Sequence, residues 1–534
     1  MEMSAQPSNQ KQQSHAQGLS QSTPLVTVAN VHQGIRPIAG GLTNVGMDHP
    51  LAQASVAAAP PLSPLPRPPP QPTMDLPSPG SSRPSKASAL PLSPVHTATE
   101  STQGTGLSPG AKSLDALADQ FLSAPSYRTS ALHLLPILKP PALPHSDSAI
   151  GKMRLLAERR AWGDVLQVAG DLLRSPTSMY APIYTSLVQN TTYEIEGDPD
   201  LTQLQSETVE LLTLECHAWL KLRRFSDLGR EVDRWEFIVD SLNAPVWIPP
   251  SLYILAAESL QYTDPQKSTK CCDSLYKLRQ TFHDQPQWLA SINNALSNVF
   301  VRQAEWRLAL VSLEDMRANA GGVVDWELSQ DATLAPHRDE LVAAFEAEVL
   351  TRQGRILLQV GALPEAWKLF DEANTLGYSV SPLKHYLAQR LPGQLMLNNG
   401  LMEFARRQLD NSMTAFKSAI DLLREYHDEG LYDLRLFTGP FCTESNASLL
   451  SSCWNNLGLA ALYTCRMKEA VRMMESLVRE NPTLYLTERL AFNLCTLYEL
   501  GADTAISARK KRVLQLVAKR FYLHDIGPES FRVG

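Results

Sequence analysis

Cysteine, histidine and a glycine-lysine stretch are the residues of this chain whose types could do chemistry. The seven cysteines, Cys216, Cys271, Cys272, Cys442, Cys453, Cys465 and Cys495, are scattered and odd in number, with no C-x-x-C pair. That spacing predicts neither a disulfide framework nor a zinc site, and it favours a reducing compartment. Cys271 and Cys272 lie on a predicted helix, where adjacent residues point in different directions, so one is expected in the core and the other at the surface. His217, His337 and His524 are isolated, and a packed or surface histidine is the better expectation for each. GTGLSPGAK, ending at Lys112, has the wrong glycine spacing for a phosphate loop and does not lie between a strand and a helix. Neither H-E-x-x-H nor a nucleophile elbow occurs. No catalytic residue, cofactor or metal ligand is therefore expected, and the chain does not read as an enzyme.

What does recur is a spacing suited to packing. Counting from Ser451, Trp454, Leu457, Gly458, Ala470 and Pro482 fall at positions 4, 7, 8, 20 and 32 of a stretch ending at Leu484. These are the places where a tetratricopeptide (TPR) repeat has Trp, Leu, Gly, Ala and Pro. Two antiparallel helices approach closely only where small side chains face large ones, and a proline cannot continue the second helix. Residues 347–380 repeat the pattern with Gly354, Ala366, Phe370 and Ala373, and residues 393–426 do so with Gly400, Ser412, Phe416 and Ala419. Weaker helix pairs are expected at 148–174, 205–240, 250–283, 287–320 and 485–521, with a polar loop from Ser175 to about Leu201 and an insertion at 427–447. RKKR, Arg509 to Arg512, falls on the last helix, where a solvated face is a commoner reading than an import signal.

The fold class is thus all-α, a TPR-type αα superhelix or solenoid over 148–534, preceded by a disordered region at 1–112 and a lead-in helix and linker at 113–147. The first 112 residues contain no Phe, Trp or Tyr and are rich in Pro, Ser, Ala and Gln, too little apolar surface to offset ordering entropy. Ser63, Ser78, Ser93 and Ser108 each precede a proline. They are candidate proline-directed phosphorylation sites, although such pairs also arise by composition alone. PLPRPPPQP, within Pro61 to Pro72, would suit an SH3 or WW domain, and a plain spacer is the commoner role of such a tail.

Net charge is -7, which gives no drive toward nucleic acid or anionic membrane, so protein partners are expected. No run approaches the eighteen apolar residues of a membrane span and no signal pattern opens the chain, which predicts a soluble, cytosolic protein. A partner groove is the natural binding site of such an array, and Arg352, Arg355, Asn398, Asn455 and Asn456 are its candidate lining. The Lys/Asn clamp of carboxylate-binding co-chaperones is not reproduced, because positions 5 and 9 carry Thr351 and Arg355, then Asn455 and Leu459. A peptide-binding TPR adaptor or co-chaperone remains the alternative reading.

Three stretches carry a family resemblance: LYLTERLAFNLCTLYEL ending at Leu500, YILAAESLQY followed by SLYKLRQTF, and ELLTLECHAWLKLRRFSDL. In combination, over roughly Met153 to Leu500, they resemble the TPR-containing subunit of the trafficking protein particle (TRAPP) complexes numbered twelve. The proline-rich N-terminus and the final HDIGPESFRVG depart from it. The resemblance implies a noncatalytic scaffold subunit of a TRAPP III-type assembly, an exchange factor for Rab GTPases in ER-to-Golgi traffic and autophagy. It implies the TRAPP core and large scaffold subunits as partners, a Rab GTPase indirectly through the complex, and a cytoplasmic place at ER-Golgi intermediate and Golgi membranes. A kinetochore or nuclear pool is a further implication of the animal family members.

Overall fold

The computed structural model describes residues 113–125, 136–140, 142, 146, 148–189, 199–235, 248–263, 268–381, 383, 385–425 and 446–532. The candidate phosphorylation serines Ser63, Ser78, Ser93 and Ser108, the proline run and Cys442 lie outside them. Every regular element among the described residues is helical. After α1 (Leu114–Leu122), eight antiparallel pairs follow. They are α2 and α3 (Ala149–Glu158, Trp162–Arg174), α5 and α6 (Pro199–Lys221, Phe225–Val232), α7 and α8 (Pro250–Thr263, Ser268–Thr281), and α9 and α10 (Pro286–Arg302, Trp306–Ala318). The series continues with α12 and α13 (Arg338–Val360, Leu363–Gly377), α14 and α15 (Tyr386–Ala405, Leu409–Glu425), α16 and α17 (Asn446–Tyr463, Met467–Glu480), and α19 and α20 (Glu488–Gly501, Thr504–Arg520). Single helices α4 (Ala181–Val188), α11 (Ala320–Gln330) and α18 (Pro482–Tyr485) sit between pairs.

Within the pairs the turn has one recurrent form. Arg160, Arg223, Ala304, Gly361, Arg407 and Cys465 each take a left-handed conformation, with φ of 57°, 58°, 61°, 87°, 63° and 61°. The next residue's N–H then reaches five residues back: Ala161 to Leu156, Arg224 to Trp219, Glu305 to Phe300, Ala362 to Leu357, Gln408 to Glu403 and Arg466 to Ala461, at 2.8–2.9 Å. This Schellman-type closure satisfies helix-end carbonyls and sends the chain straight into the second helix. Only one of the six residues is glycine. The others carry a Cβ against the following carbonyl, so Ala304→Gly is expected to stabilise the chain by about 0.5–1 kcal/mol, net of the backbone entropy lost with the side chain. Thermal unfolding of that variant checks it.

Packing between the helices of a pair rests on the position-8 glycines. A Cβ on Gly354 would lie 2.4 Å from the Phe370 ring, one on Gly400 2.4 Å from the Phe416 ring, and one on Gly458 2.5 Å from the terminal methyl of Met474. Phe370, Phe416 and Met474 are buried, as are Ala366, Ala373, Ala419 and Ala470. Trp454 and Leu457 are buried in the same core, and Pro482 opens α18 at its first turn. Two hydrophobic clusters result. One runs from Ile150 to Leu395, the other from Leu358 to Phe531, and Ala118 and Leu122 of α1 belong to the second.

The first pairs also touch the last. Arg160, 4 % exposed, donates from Nη1 to the carbonyls of Thr483 and Leu486 at 2.9 and 3.0 Å, and from Nε and Nη2 to Asp525 at 2.9 and 2.7 Å. Arg223, in the equivalent turn of the next pair, is bonded to Glu488 and Glu529. The RKKR run is not a uniformly solvated face: Lys511 is buried against Glu499 and the Arg532 carbonyl, and Lys510 lies 4.6 Å over the Tyr498 ring. Helix α4 occupies part of the stretch read as a polar loop, and α11 fills a stretch for which no helix was expected.

Candidate interaction surface

The leading helices α12, α14 and α16 carry the polar residues singled out from the sequence, and α9 and α19 supply partners to them. On α12, Glu348 is 5 % exposed and sits among three guanidiniums. Arg352 Nε donates to it at 3.0 Å and Arg390 Nη2 of α14 lies 3.2 Å away. Burial pushes the Glu348 carboxyl up, but Arg390, Arg352 and Arg355 together outweigh it and hold the group below its ordinary value. Arg352 also donates to the side chain of Asn294 on α9. Arg355 Nε donates to Asn398 Oδ1 at 3.2 Å, and Asn398 Nδ2 to Thr351 Oγ1 at 2.9 Å. Further on, Asn493 of α19 donates to Asn455 of α16 at 2.8 Å.

These bonds join neighbouring pairs. Arg355, Asn398 and Asn455 are 4 %, 1 % and 5 % exposed, so they lie in the seams between pairs, whereas Arg352 and Asn456 are only partly buried. What the arrangement can do chemically is lock one pair to the next in a single register, since a charged group left without its partner in such a seam is costly. Among the described cysteines, burial pushes Cys271 and Cys495 up to about 12 and Cys216 well above its usual value. No cluster of three His, Cys, Asp or Glu side chains able to hold a metal ion occurs among the described residues. A depression of about 660 Å³ beside α3, lined by Ser148, Asp171, Ser175, Thr177 and Tyr180, gathers no acid-base pair.

The surface that the sequence did not single out lies near the turns. The Arg406 guanidinium sits 4.1 Å over the Trp367 ring, and Phe404 meets Tyr463 edge-on with centroids 5.4 Å apart at 80°. Trp367 and Tyr463 are 39 % and 63 % exposed, and Val360 beside Gly361 is 45 % exposed. Exposed aromatic side chains flanked by arginine are the residue types that dominate protein interfaces. Single residues at helix ends leave no periodic trace, so no sequence signal marks them.

Glu258 is shifted in the opposite direction to Glu348. Burial pushes Glu258 of α7 up to about 7 against the pull of Arg302 on α9. A carboxyl whose native pKa exceeds its unfolded value holds an extra proton in the folded state between those two values. Stability therefore falls as pH rises from about 4.5 to about 7 and stays lower above that range. Glu258→Gln is expected to gain about 1–3 kcal/mol at pH 8 and nothing at pH 4, measured by urea unfolding at the two pH values.

Fold and surface together define the class: a TPR-type array of helix pairs that exposes aromatic side chains and arginine near its turns. Over half its length the chain is similar to trafficking protein particle complex subunit 12, at 26 % identity over 283 residues to that of Mus musculus and 28 % over 285 residues to that of Homo sapiens. Each match covers 51 % of this chain, and 31 % and 33 % of the respective relative, so the similarity spans about a third of the relatives' length. Among solved structures, that titled "Crystal structure of APC/C hetero-tetramer Cut9-Hcn1" aligns at 12 % identity with a TM-score of 0.25, over 72 % of this chain and 75 % of that one. No family model matches the chain. No helix among the described residues is long and apolar enough to cross a membrane.

Proposed function

We propose that the chain is a noncatalytic scaffold subunit of a TRAPP III-type complex, acting in Rab activation for ER-to-Golgi traffic and autophagy from the cytoplasmic side of those membranes. The observation that carries this reading is the similarity to subunit 12 over 51 % of the chain, taken with the helix pairs that the described residues build. A scaffold needs rigid spacing more than a reactive group, and the buried seams at Glu348, Arg355 and Asn398 supply that rigidity. A carboxylate clamp of the co-chaperone kind needs exposed amides and cations, and Arg355, Asn398 and Asn455 are each at most 5 % exposed.

Affinity purification of the tagged chain with mass spectrometry tests the reading. The TRAPP core and its large scaffold subunits are expected in the eluate. Their absence, with chaperones enriched instead, would overturn it.

A further inference from the structure

Helix α1 is the first described element of the chain, yet it seats on the last pair. Its sequence, LDALADQFL, is capped by Ser113, whose Oγ accepts from Ala116 N at 3.2 Å. Ala118 and Leu122 are fully buried, and Leu117 and Phe121 pack against the second hydrophobic cluster, which includes Val478, Val517 and Phe521. Two arginines frame the contact. Arg520 of α20 reaches Asp119 Oδ1 at 2.5 Å and Asp115 Oδ1 at 3.2 Å. Arg479 of α17 donates from Nε to the Phe121 carbonyl at 2.7 Å and lies 4.8 Å over the Phe121 ring.

We propose that this surface is a helix-docking groove for a partner protein, and that α1 is its occupant in cis. The groove reads both ends of a helix: Arg520 takes acids four residues apart in its first two turns, and Arg479 meets the Phe121 carbonyl at the negative dipole end of its last turn. A helix laid in reverse would present its N–H groups to Arg479, so direction is specified as well as charge. The ligand is an amphipathic helix with acids at i and i+4, a small residue at i+3, and Phe and Leu at i+6 and i+7, as Asp115, Asp119, Ala118, Phe121 and Leu122 stand in α1.

Helix α1 is built to be displaced. Nine residues are too few to hold a helix in isolation, and only two of the nine are fully buried, while Leu114 is 44 % exposed. Its acids pair from solvent, with side chains 76 % and 53 % exposed. The chain beyond α1 packs Ile137 and Leu138 against the same cluster, and Arg520 also donates to the Leu138 carbonyl at 3.4 Å, so α1 is held at a high effective concentration beside its groove. A longer partner helix of the same pattern would bury what α1 leaves open. This inference stands whether or not the partner is a TRAPP subunit.

The test uses the full chain and a fluorescein-labelled peptide of residues 112–124, read by anisotropy. Leu117→Glu with Phe121→Glu vacates the groove, and this variant is expected to bind the peptide at least tenfold more tightly than the unaltered chain. Adding Arg520→Glu should abolish that binding, and a peptide carrying Asp115→Lys and Asp119→Lys should restore it. Equal binding to the vacated and unaltered chains overturns the proposal, as does failure of a vacated chain with unchanged circular dichroism to bind. If the double glutamate variant does not fold, Asp115→Lys with Asp119→Lys in the full chain weakens α1 from its exposed side, and the same two comparisons decide.

Discussion

Replacing Arg160 with methionine is expected to cost about 3–5 kcal/mol, because it removes one partner of a buried ion pair and leaves the rest in place. Methionine fills much of the volume. It leaves the Asp525 carboxylate without its guanidinium and the Thr483 and Leu486 carbonyls without their donor. The location of the loss is as informative as its size. A repeat array ordinarily gains stability from nearest neighbours, so its segments melt with some independence. Here a side chain from the first pair is bonded to residues more than 300 positions away, which ties distant pairs into one transition. Arg160→Met should lower the urea midpoint and speed amide exchange at Thr483 to Leu486 while α9 to α13 stay protected. Unchanged exchange at those carbonyl-bearing turns would show that Arg160 does not couple the ends.

The second large effect concerns the position-8 glycines. Phe416→Ala should cost about 3–5 kcal/mol, since it removes a fully buried ring and leaves a cavity against Gly400. Gly400→Ala approaches the same contact from the other side. The added methyl meets the edge of a ring that has no room to retreat, a penalty of about 1–3 kcal/mol that outweighs the roughly 1 kcal/mol gained in helix propensity. Gly458→Ala meets the mobile terminal methyl of Met474 instead, which can swing aside, so that change should be close to neutral. Denaturant unfolding of the two alanine variants side by side separates ring packing from a general intolerance of substitution. Equal losses in both would sink the distinction.

Much of this fold was legible because it is written in spacing. The glycine, alanine and aromatic positions of residues 347–380, 393–426 and 451–484 recur at intervals that only two close helices require, and the ring-on-glycine contacts follow from them. The turns were less legible. Left-handed residues at helix ends are usually glycine, whereas here arginine, alanine and cysteine hold five of the six such turns within pairs. Helix α4 hid behind Pro182, which reads as a break although proline is tolerated in the first turn of a helix. Helix α11 hid behind Gly321 and Gly322; a Cβ on Gly322 would lie 2.6 Å from Pro286, so that glycine serves the approach of α9 rather than a loop. Of the binding surface, the sequence pointed to polar residues on the leading helices but could not say that Arg355, Asn398 and Asn455 would be buried in the seams. Burial there depends on the neighbouring pair, which no single repeat encodes.

Helix α1 also sets a schedule for synthesis. Asp119 leaves the ribosome 401 residues ahead of Arg520, which at roughly 5–20 residues per second is a wait of about 20–80 s. Throughout that interval Leu117, Phe121 and Leu122 lack the Arg520-bearing face on which they pack, so this helix waits for the far end of the array before its apolar side is covered.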